Sequence, residues 1–352
     1  MRLWRGERPG QPKVGAGRVL DAAGRRARRQ YARLSARRGA GLILLYHRIA
    51  EPPSDPWQLA VTPRTFERHL RLLSSQCRVL TLSEMFEAAR RGRIPDRAVA
   101  ITFDDGYVDN LEEGLPLLEK YGTPATIYIA TGYVDSPGRF WWDELQDLIA
   151  GAGPRPDSME MALGGIRIAA PTATERERRH TLLSVVHPVL RASSPRMIQL
   201  ALERIREWAG GETGTGGIDG DPSRRPMTRE ELERLSQSPL IELGPHTSTH
   251  PSMVALTADV GRDEVESSQR YLEELTGSPP AGFSYPFGDN NPAARRAARA
   301  CGFQYAVGVR WDTPVTAAAR RFELPRLMAI EESEAALQAR MEATLRFRGD
   351  PP

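Results

Sequence analysis

Two adjacent carboxylates and a pair of histidines are the residues of this sequence whose types and spacing suit catalysis. Asp104 and Asp105 directly follow an apolar run of strand length, and His246 and His250 lie four positions apart after another such run. Adjacent carboxylates at the end of a buried strand are costly unless a cation lies beside them, and a divalent metal ion is the usual one. Histidines at positions i and i+4 face the same way on a helical turn, so both imidazoles can bind one ion.

Together these four residues predict a metal centre of two histidines and one aspartate, which leaves positions open for water and substrate. The second aspartate then faces the substrate. Each motif has a simpler alternative when it is taken alone. An aspartate can cap the helix that follows the strand, with Gly106 permitting the tight turn, and a histidine pair can lie in an ordinary polar turn. Their joint occurrence favours the metal centre.

The positions of the six histidines divide them into two groups. His47, like His246 and His250, falls at the C-terminal end of a predicted strand. That edge is where β/α barrels build their active sites. The others lie inside helical patterns, which predicts surface or packed side chains, and they are His69, His180 and His187.

Apolar, β-branched runs alternate with helical patterns along the chain, which is typical of a parallel β/α architecture. A single α/β barrel also fits the length of 352 residues. Seven strands are predicted, near 42–46, 98–103, 124–130, 239–244, 282–286, 304–308 and 322–328. The helices predicted between them are 63–75, 83–91, 109–121, 229–236, 259–276 and 292–301.

About 100 residues separate the third predicted strand from the fourth, too many for one crossover. Within this stretch the patterns predict a helix at 141–150, a hairpin at 158–170, helices at 175–191 and 195–209, and a loop at 210–223. We therefore expect a mostly helical insertion at about 135–227 that packs on or over the barrel. The barrel itself would span 41–330, and a C-terminal helix and tail would span 331–352.

The charge is distributed unevenly along the chain. The net charge is +3, but residues 1–40 contain eleven Arg and one Lys against two acidic residues, a local charge of +10 that leaves −7 for the remainder. A mildly acidic body argues against nucleic acid as a partner. The basic segment 1–40 has a narrow apolar stripe that suits a helix on an anionic membrane surface, and the alternative is a solvated tail.

The sequence contains no readable signal peptide and no apolar run of transmembrane length. The two cysteines, Cys77 and Cys301, suggest neither a disulfide framework nor a thiolate metal site. These features predict a cytoplasmic protein, with peripheral contact between residues 1–40 and the inner membrane as the further alternative.

Three motifs resemble the successive motifs of the NodB-homology polysaccharide deacetylases, carbohydrate esterase family 4. They are Thr-Phe-Asp-Asp-Gly at 102–106, His-Thr-x-x-His-Pro at 246–251 and Phe-Ser-Tyr-Pro-Phe-Gly at 283–288. The stretch Leu-Leu-Tyr-His-Arg at 44–48 is similar to the poly-N-acetylglucosamine deacetylase-like branch. The resemblance implies a distorted (β/α)7 barrel and covers about 41–330, apart from most of the insertion.

The resemblance also implies the roles of individual residues. Asp105, His246 and His250 would bind the metal, and Asp104 would be the general base. The metal would lower the pKa of its water and polarise the acetyl carbonyl. Backbone N–H groups, that of Tyr107 among them, would stabilise the oxyanion.

Two departures from the family pattern change the expected assignments. No histidine follows His250, so the usual Leu-x-His acid is absent, and His47 is the matching position for the acid in the poly-N-acetylglucosamine branch. Its alternative is a structural histidine. Ser284 stands where the family has an arginine that pairs with the base, and Arg326 could supply that charge or be a surface arginine.

Aromatic side chains near the predicted strand ends suit a sugar partner, although any one of them can equally be core. Trp141 and Trp142 are neighbours whose side chains point differently, so we expect only one, assigned to Trp142, to face the cleft. The residues expected to bind or support the substrate are Tyr107, Tyr285, Pro286, Phe287, Arg326 and Trp142.

The sequence therefore predicts a metal-dependent hydrolase that removes N-acetyl groups from amino sugars of a polysaccharide or a lipid-linked glycan precursor. O-deacetylation and hydrolysis of another amide are alternatives on the same site. A catalytically silent carbohydrate-binding barrel is the alternative of another class. The cofactor would be one divalent ion, with zinc expected first and cobalt, nickel, iron or manganese as alternatives.

Overall fold

The structure is a computed structural model that describes residues 39–136, 138–163, 165–210, 223–309 and 313–346. The predicted basic tail lies outside these ranges apart from its last two residues. Most of the predicted loop 210–223 and the last six residues of the chain also lie outside them.

The described residues contain twelve strands and eleven α-helices. The strands are β1 Gly41–Tyr46, β2 Arg48–Ile49, β3 Ala60–Val61, β4 Arg78–Val79, β5 Ala98–Phe103, β6 Ala125–Ile129, β7 Ser158–Leu163, β8 Ile166–Pro171, β9 Ile241–Pro245, β10 Gly282–Ser284, β11 Tyr305–Val307 and β12 Leu327–Met328. The α-helices are α1 Pro63–Gln76, α2 Leu82–Arg90, α3 Leu115–Tyr121, α4 Trp141–Ala150, α5 Glu175–His180, α6 His187–Arg191, α7 Pro195–Trp208, α8 Arg229–Ser236, α9 Ala258–Thr276, α10 Pro292–Ala300 and α11 Glu334–Arg346.

The central sheet is parallel, with the order β12-β1-β5-β6-β9, and β4 pairs with β5. Strands β1 and β5 are buried along their whole length, as expected for strands covered on both faces. The outward faces pack against a helix layer that includes α1, α8, α9 and α11. The opposite faces of β1, β5 and β6 form an inner core together with β11. These packed faces fix the strand ends where the candidate residues lie.

A second parallel pair, β10 and β11, follows β9 along the chain. An isolated parallel bridge joins Val307 of β11 to Leu324, three residues before β12. Between β9 and β10, no hydrogen-bonded ladder is present in the ranges that the structure describes. These two strands are close at Gly244 and Gly282, where a Cβ on Gly244 would lie 3.1 Å from the Gly282 carbonyl oxygen.

The predicted elements agree with the structure to within a few residues, with three differences. The predicted helix 175–191 is divided into α5 and α6 by a π-helical stretch, Thr181–Val186. The last predicted strand, 322–328, is reduced to β12 and a single bridge at Leu324, and Pro325 between them has no N–H to donate to a ladder. The predicted helix 109–121 opens with a π-helical turn, Asn110–Gly114, before α3 begins. Neither Asp104 nor Asp105 caps this helix, so the simpler alternative for the aspartate pair is wrong.

Strands β6 and β9 are hydrogen-bonded neighbours, yet residues 130–240 lie between them in the sequence. This connecting segment contains α4 to α8 and the antiparallel hairpin β7–β8. Most of it shares a hydrophobic core of its own, built around Trp141, Leu145 and Leu202. The same core includes Tyr107 and Phe287 at the strand ends, so the connecting segment packs directly against the catalytic candidates.

None of the helices in the described ranges combines the length and the apolar character that are needed to cross a bilayer.

Replacing Gly282 with Ala should destabilise the protein by about 1–3 kcal/mol, because the new methyl group would overpack a filled interior. A Cβ on Gly282 would lie 2.1 Å from the Tyr305 ring. Gly261→Ala in α9 is the matched control, because its Cβ would meet Met253 at an ordinary 3.4 Å. The higher helix propensity of Ala should raise the free energy of unfolding of this variant by about 0.5–1 kcal/mol. Urea denaturation measures both, and equal midpoints would contradict the close approach of β10 and β11.

Candidate metal centre

The carboxyl ends of β5, β9 and β10 bring the candidate side chains together. Asp104 follows β5 directly, and its N–H donates to the Tyr46 carbonyl at 3.0 Å, so the strand pairing with β1 continues one residue further. Asp105 and Gly106 both have left-handed backbone, with φ of 77° and 88°. The chain therefore turns sharply between the two aspartates, and their carboxylates point in different directions.

Asp105, His246 and His250 form the one group of metal-ligating side chains found in the described residues. Their ligand atoms all lie within 4.8 Å of one another. Asp105 Oδ1 is 3.6 Å from His246 Nε2 and 3.4 Å from His250 Nε2. All three side chains are buried, with exposed fractions of 4%, 1% and 5%. This arrangement is the donor set that the sequence predicts.

The tautomer of His246 follows from its partner. His246 Nδ1 lies 2.8 Å from the carbonyl oxygen of Ser284. A carbonyl oxygen only accepts, so Nδ1 carries the proton and Nε2 presents its lone pair to the centre. A carbonyl that fixes the tautomer of a histidine is the usual support of a metal ligand.

The convergence of the two histidines does not depend on a helical turn, which corrects the expectation from their spacing. Residues 246–250 form an irregular loop in which Thr247 and His250 have φ of 63° and 55°. The Thr247 hydroxyl accepts the His250 N–H at 3.1 Å. Left-handed residues tighten the loop enough to turn both rings toward Asp105.

Glu264 of α9 holds this loop in place. Its carboxylate accepts the N–H groups of Ser248 and Thr249 at 2.9 and 2.8 Å and the Thr249 hydroxyl at 2.6 Å. Glu264 is not among the residues that the sequence motifs indicate. A signal exists, because this acidic residue lies at helical spacing among the buried positions of α9, which are Gly261, Val265, Ser268 and Leu272.

Asp104 is separated from the ligand group by its own partners. Arg326 donates to both of its carboxylate oxygens, from Nη1 at 2.7 Å and from Nη2 at 2.6 Å. The Ser284 hydroxyl lies 3.2 Å from Asp104 Oδ2 and accepts from Arg326 Nη2 at 2.9 Å. Arg326 is therefore a buried partner of Asp104 and not a surface arginine, with an exposed fraction of 1%.

The charges of the two aspartates are settled differently. Burial alone would raise the pKa of Asp104, but the Arg326 guanidinium beside it holds that pKa below its usual range. Burial raises the pKa of Asp105 well above its usual value, and the charges of Asp104 and Asp143 add to this. Among the described residues, Asp105 therefore has no paired guanidinium comparable to that of Arg326 beside Asp104.

The donor set fits a divalent cation. Burial lowers the pKa of both His246 and His250, so their imidazoles are neutral ligands at neutral pH. A buried carboxylate without a cationic partner beside two neutral imidazoles is the arrangement that a divalent ion stabilises.

His47 directly follows β1, the strand that pairs with β5 on the side away from β9, so it lies next to the strand end that carries Asp104. Its carbonyl accepts from Asn110 Nδ2 at 2.8 Å, which fixes its backbone. Its buried Nδ1 has no hydrogen-bond partner among the described residues. Burial lowers the pKa of His47 to about 4, while the charge of Asp104 opposes that shift.

The predicted supporting residues divide by position. The Tyr107 and Trp142 rings are buried at the site, and the Trp142 ring lies 4.4 Å from that of His250. Tyr285 is not brought to the site, because Ser284 faces Asp104 and the next side chain of the strand points the other way. The Tyr285 ring packs on Phe283 at 5.1 Å in the layer beside α10, and the buried Pro286 follows it.

Phe287 lies at the rim of the site. Its ring is half-buried and lies 4.8 Å from the His250 ring. Arg191 of α6 covers it at 4.6 Å and forms an ion pair with Asp289 at 2.6 Å. His187, which the sequence predicts to be structural, lies 6.0 Å from Phe287 and links it to Trp57. Half-buried aromatic side chains thus border the metal centre on the side of the connecting segment.

Comparison with known proteins finds similar chains among the deacetylases. A family model described as polysaccharide deacetylase matches residues 91–306. YxkH of Bacillus subtilis (strain 168), whose name refers to polysaccharide deacetylase, is 38% identical over 89 residues, which cover 25% of this chain and 30% of that protein. A poly-beta-1,6-N-acetyl-D-glucosamine N-deacetylase of Staphylococcus aureus (strain MSSA476) is 30% identical over 115 residues, which cover 29% of this chain and 40% of that protein. The chain thus spans less than half the length of these relatives.

Two solved structures share the fold. The deacetylase PplD of Streptococcus pyogenes, solved with acetate, superposes with a TM-score of 0.56 at 18% identity, over 86% of this chain and 98% of that one. IcaB from Ammonifex degensii superposes with a TM-score of 0.52 at 17% identity, over 86% of this chain and 97% of that one.

Asp105→Ala and His250→Ala should lose a divalent ion that the unchanged protein retains at about one equivalent. Loss of a ligand should weaken Zn²⁺ binding by at least about 100-fold, because even a supporting residue contributes 10- to 100-fold. Asp104→Asn is the control, because the Asp104 carboxylate is paired with Arg326 and is not one of the three proposed ligands. Equilibrium dialysis followed by elemental analysis measures this, and equal metal loss in all three variants would contradict the assignment.

Proposed function

This chain belongs to the polysaccharide deacetylase family, and we propose that it hydrolyses N-acetyl groups of amino sugars in a polysaccharide or lipid-linked glycan, releasing acetate. The observation that carries the proposal is the pairing of Asp104 with Arg326 beside the group Asp105, His246 and His250. It supplies one carboxylate held ionised and one donor set for a metal, which are the two parts that hydrolysis of an amide requires.

Asp105, His246 and His250 would hold the divalent ion, for which zinc is the first candidate. When bound, such an ion polarises a carbonyl and lowers the pKa of water, which is the chemistry that this donor set cannot supply by itself. The protein residues fix the geometry. Ser284 sets the tautomer of His246, and Glu264 sets the loop that carries His250.

Asp104 would act as the general base. Its Oδ2 lies 3.6 Å from His246 Nε2, so the carboxylate borders the donor set without belonging to it. The Arg326 guanidinium keeps it ionised and fixes its orientation through two parallel hydrogen bonds. An ionised, oriented carboxylate can take the proton of an attacking water.

His47 would return a proton to the departing amine, and the Tyr107 N–H would donate to the oxyanion. The position of His47 beside Asp104, with a buried and unpartnered Nδ1, supports a role beyond packing. Because burial keeps the His47 imidazole neutral at neutral pH, it would take over from Asp104 the proton removed from water and pass it to the sugar nitrogen as the C–N bond breaks, giving acetate and a free amine.

The proposed substrate class is supported by the names of the relatives and by the aromatic ring of Phe287 at the edge of the metal centre. A Staphylococcus aureus relative is named for poly-beta-1,6-N-acetyl-D-glucosamine. The half-buried Phe287 ring beside His250 offers an apolar face of the kind on which a sugar ring can stack. We therefore propose an N-acetylated glucosamine polymer as the first substrate to test.

We also propose that the seven predicted strands form a distorted barrel that is open between β9 and β10; they correspond to β1, β5, β6, β9, β10, β11 and the stretch 322–328. The bridge between Val307 and Leu324 supports closure on the other side of β11. Residues of about 135–227 would then be an insertion that packs over the active face, which the shared core with Tyr107 and Phe287 supports.

Acetate release from a panel of N-acetylated and O-acetylated oligosaccharides, with and without chelator, tests the function. We expect acetate and a free amine from oligo-N-acetylglucosamine, loss of activity on chelation, and recovery with Zn²⁺. Asp104→Asn should lower kcat by about 10²–10⁴-fold while the metal is retained, because proton transfer is lost. Release from O-acetyl substrates alone would contradict N-deacetylation, and full activity of Asp104→Asn would contradict the assigned base.

Phe287→Leu should raise KM for an oligosaccharide by about 3- to 10-fold with little change in kcat, because stacking on the ring binds ground state and transition state alike. Tyr121→Leu, which removes a half-buried ring from the outer helix layer, is the matched control. Steady-state kinetics separates the two parameters. A fall in kcat at constant KM would assign Phe287 to the chemistry and not to the sugar contact.

A further inference from the structure

The first residues of α4 make a buried polar contact with the turn that carries Asp105. The Tyr107 hydroxyl donates to Asp143 Oδ2 at 2.8 Å and accepts from Trp142 Nε1 at 2.8 Å. Asp143 has an exposed fraction of only 2%. None of the sequence motifs contains Asp143, and the proposed chemistry does not use it.

A carboxylate at this depth needs compensation. Burial raises the pKa of Asp143 to about 6, and the nearby charges of Arg224 and Arg48 lower it. Arg48 also lies over the Tyr107 ring at 5.0 Å. Phe140 packs against the same ring at 4.6 Å. The Tyr107 side chain is therefore held on its faces and at its hydroxyl.

The backbone of Tyr107 is held on one side only. Val108 donates to the Arg225 carbonyl at 3.0 Å, and Met227 donates to the Gly106 carbonyl at 3.1 Å. These bonds flank the antiparallel bridge between Tyr107 and Pro226, so the N–H of Tyr107 points away from that segment. In the described ranges this N–H has no acceptor, and it lies two residues after Asp105.

We propose that Asp143 is a positioning residue which, through the Tyr107 hydroxyl, fixes the direction of the Tyr107 N–H toward the reacting carbonyl. The inference rests on the proposed function, since it assigns that N–H to the oxyanion. A donor stabilises a transition state only when its direction is set before the charge develops. The left-handed backbone is strained at Asp105, which is not a glycine, and the contacts of the Tyr107 side chain help to fix the turn that follows it.

The connecting segment thereby takes part in the chemistry through the Tyr107 side chain. Trp142 contacts both the Tyr107 hydroxyl and the His250 ring, so α4 bears on the oxyanion donor and on a metal ligand at once. A displacement of α4 would first disturb the Tyr107 side chain, because its hydrogen bond to Asp143 is directional.

Asp143→Leu removes the acceptor while keeping an apolar side chain of similar size, and Tyr107→Phe removes the hydroxyl. Each should lower kcat by about 10- to 100-fold with KM unchanged, less than the 10²–10³-fold of an oxyanion donor removed outright. The double variant should lose no more than either single variant, because both break one link. Asp143→Asn keeps an acceptor oxygen and should restore most of kcat.

Asp147→Asn is the matched control. It lies one turn further along α4, is also buried, and forms ion pairs with Arg139 and Arg224, without a contact to Tyr107. It should lower the melting temperature and leave kcat unchanged. A purely structural role for Asp143 would give the same result as this control and would overturn the inference.

Amide hydrogen exchange at Tyr107, resolved by NMR on the metal-loaded protein, gives a readout that needs no substrate. Exchange should quicken in Asp143→Leu and not in Asp147→Asn. If the unchanged protein releases acetate but Asp143→Leu keeps its kcat and exchange rate, the inference fails and the proposed function stands. If no acetate is released while exchange at Tyr107 still quickens, the proposed function fails and the positioning of the N–H stands.

Discussion

Two neighbouring carboxylates, Asp104 and Asp105, are buried at the end of β5. Burial of a charged carboxylate costs free energy, and the other residues of the site offset that cost. One charge is neutralised inside the protein by a bidentate ion pair with Arg326. The other has no such partner and faces two neutral histidines. Because the two charges are compensated in different ways, adjacent residues of one type acquire different chemistry.

The backbone is shaped to keep the two carboxylates apart and the histidines together. Of the seven non-glycine residues with positive φ in the described ranges, four lie at the site, and they are Asp105, Thr247, His250 and Phe287. Such conformations persist only where surrounding bonds determine them. For Thr247 and His250 those bonds come from Glu264 and the Thr247 hydroxyl, and the Asp105 carbonyl accepts from the Ala130 N–H. The strain is therefore concentrated where side chains must be aimed.

The connecting segment surrounds this centre on the side of Tyr107 and Phe287. Its α4 provides buried polar contacts through Trp142 and Asp143, and its α6 provides the cation over Phe287. Both contacts join parts of the chain that are distant in sequence. The segment thus combines an apolar core of its own with a few polar contacts at the face that it shares with the strands.

The sequence by itself determined the elements and the principal residues. Apolar runs predicted β5 and α4 with their bounds, a helical pattern predicted α8, and the strand ends located Asp104, Asp105, His246 and His250. These features are local: a strand end, a cap or a helical stripe is written in neighbouring residues. The motifs also indicated the family, which the match over residues 91–306 shows.

Only the tertiary structure decided which side chains meet. Arg326 pairs with a residue 222 positions away, and the sequence left open whether it pairs with the base or lies at the surface. Glu264 and Asp143 were missed for the same reason, and Tyr285 was misplaced because the alternation of β10 gives Ser284 to the site. Hydrophobic periodicity encodes where an element lies, whereas the direction of a buried polar side chain depends on the partner that the folded strands bring to it.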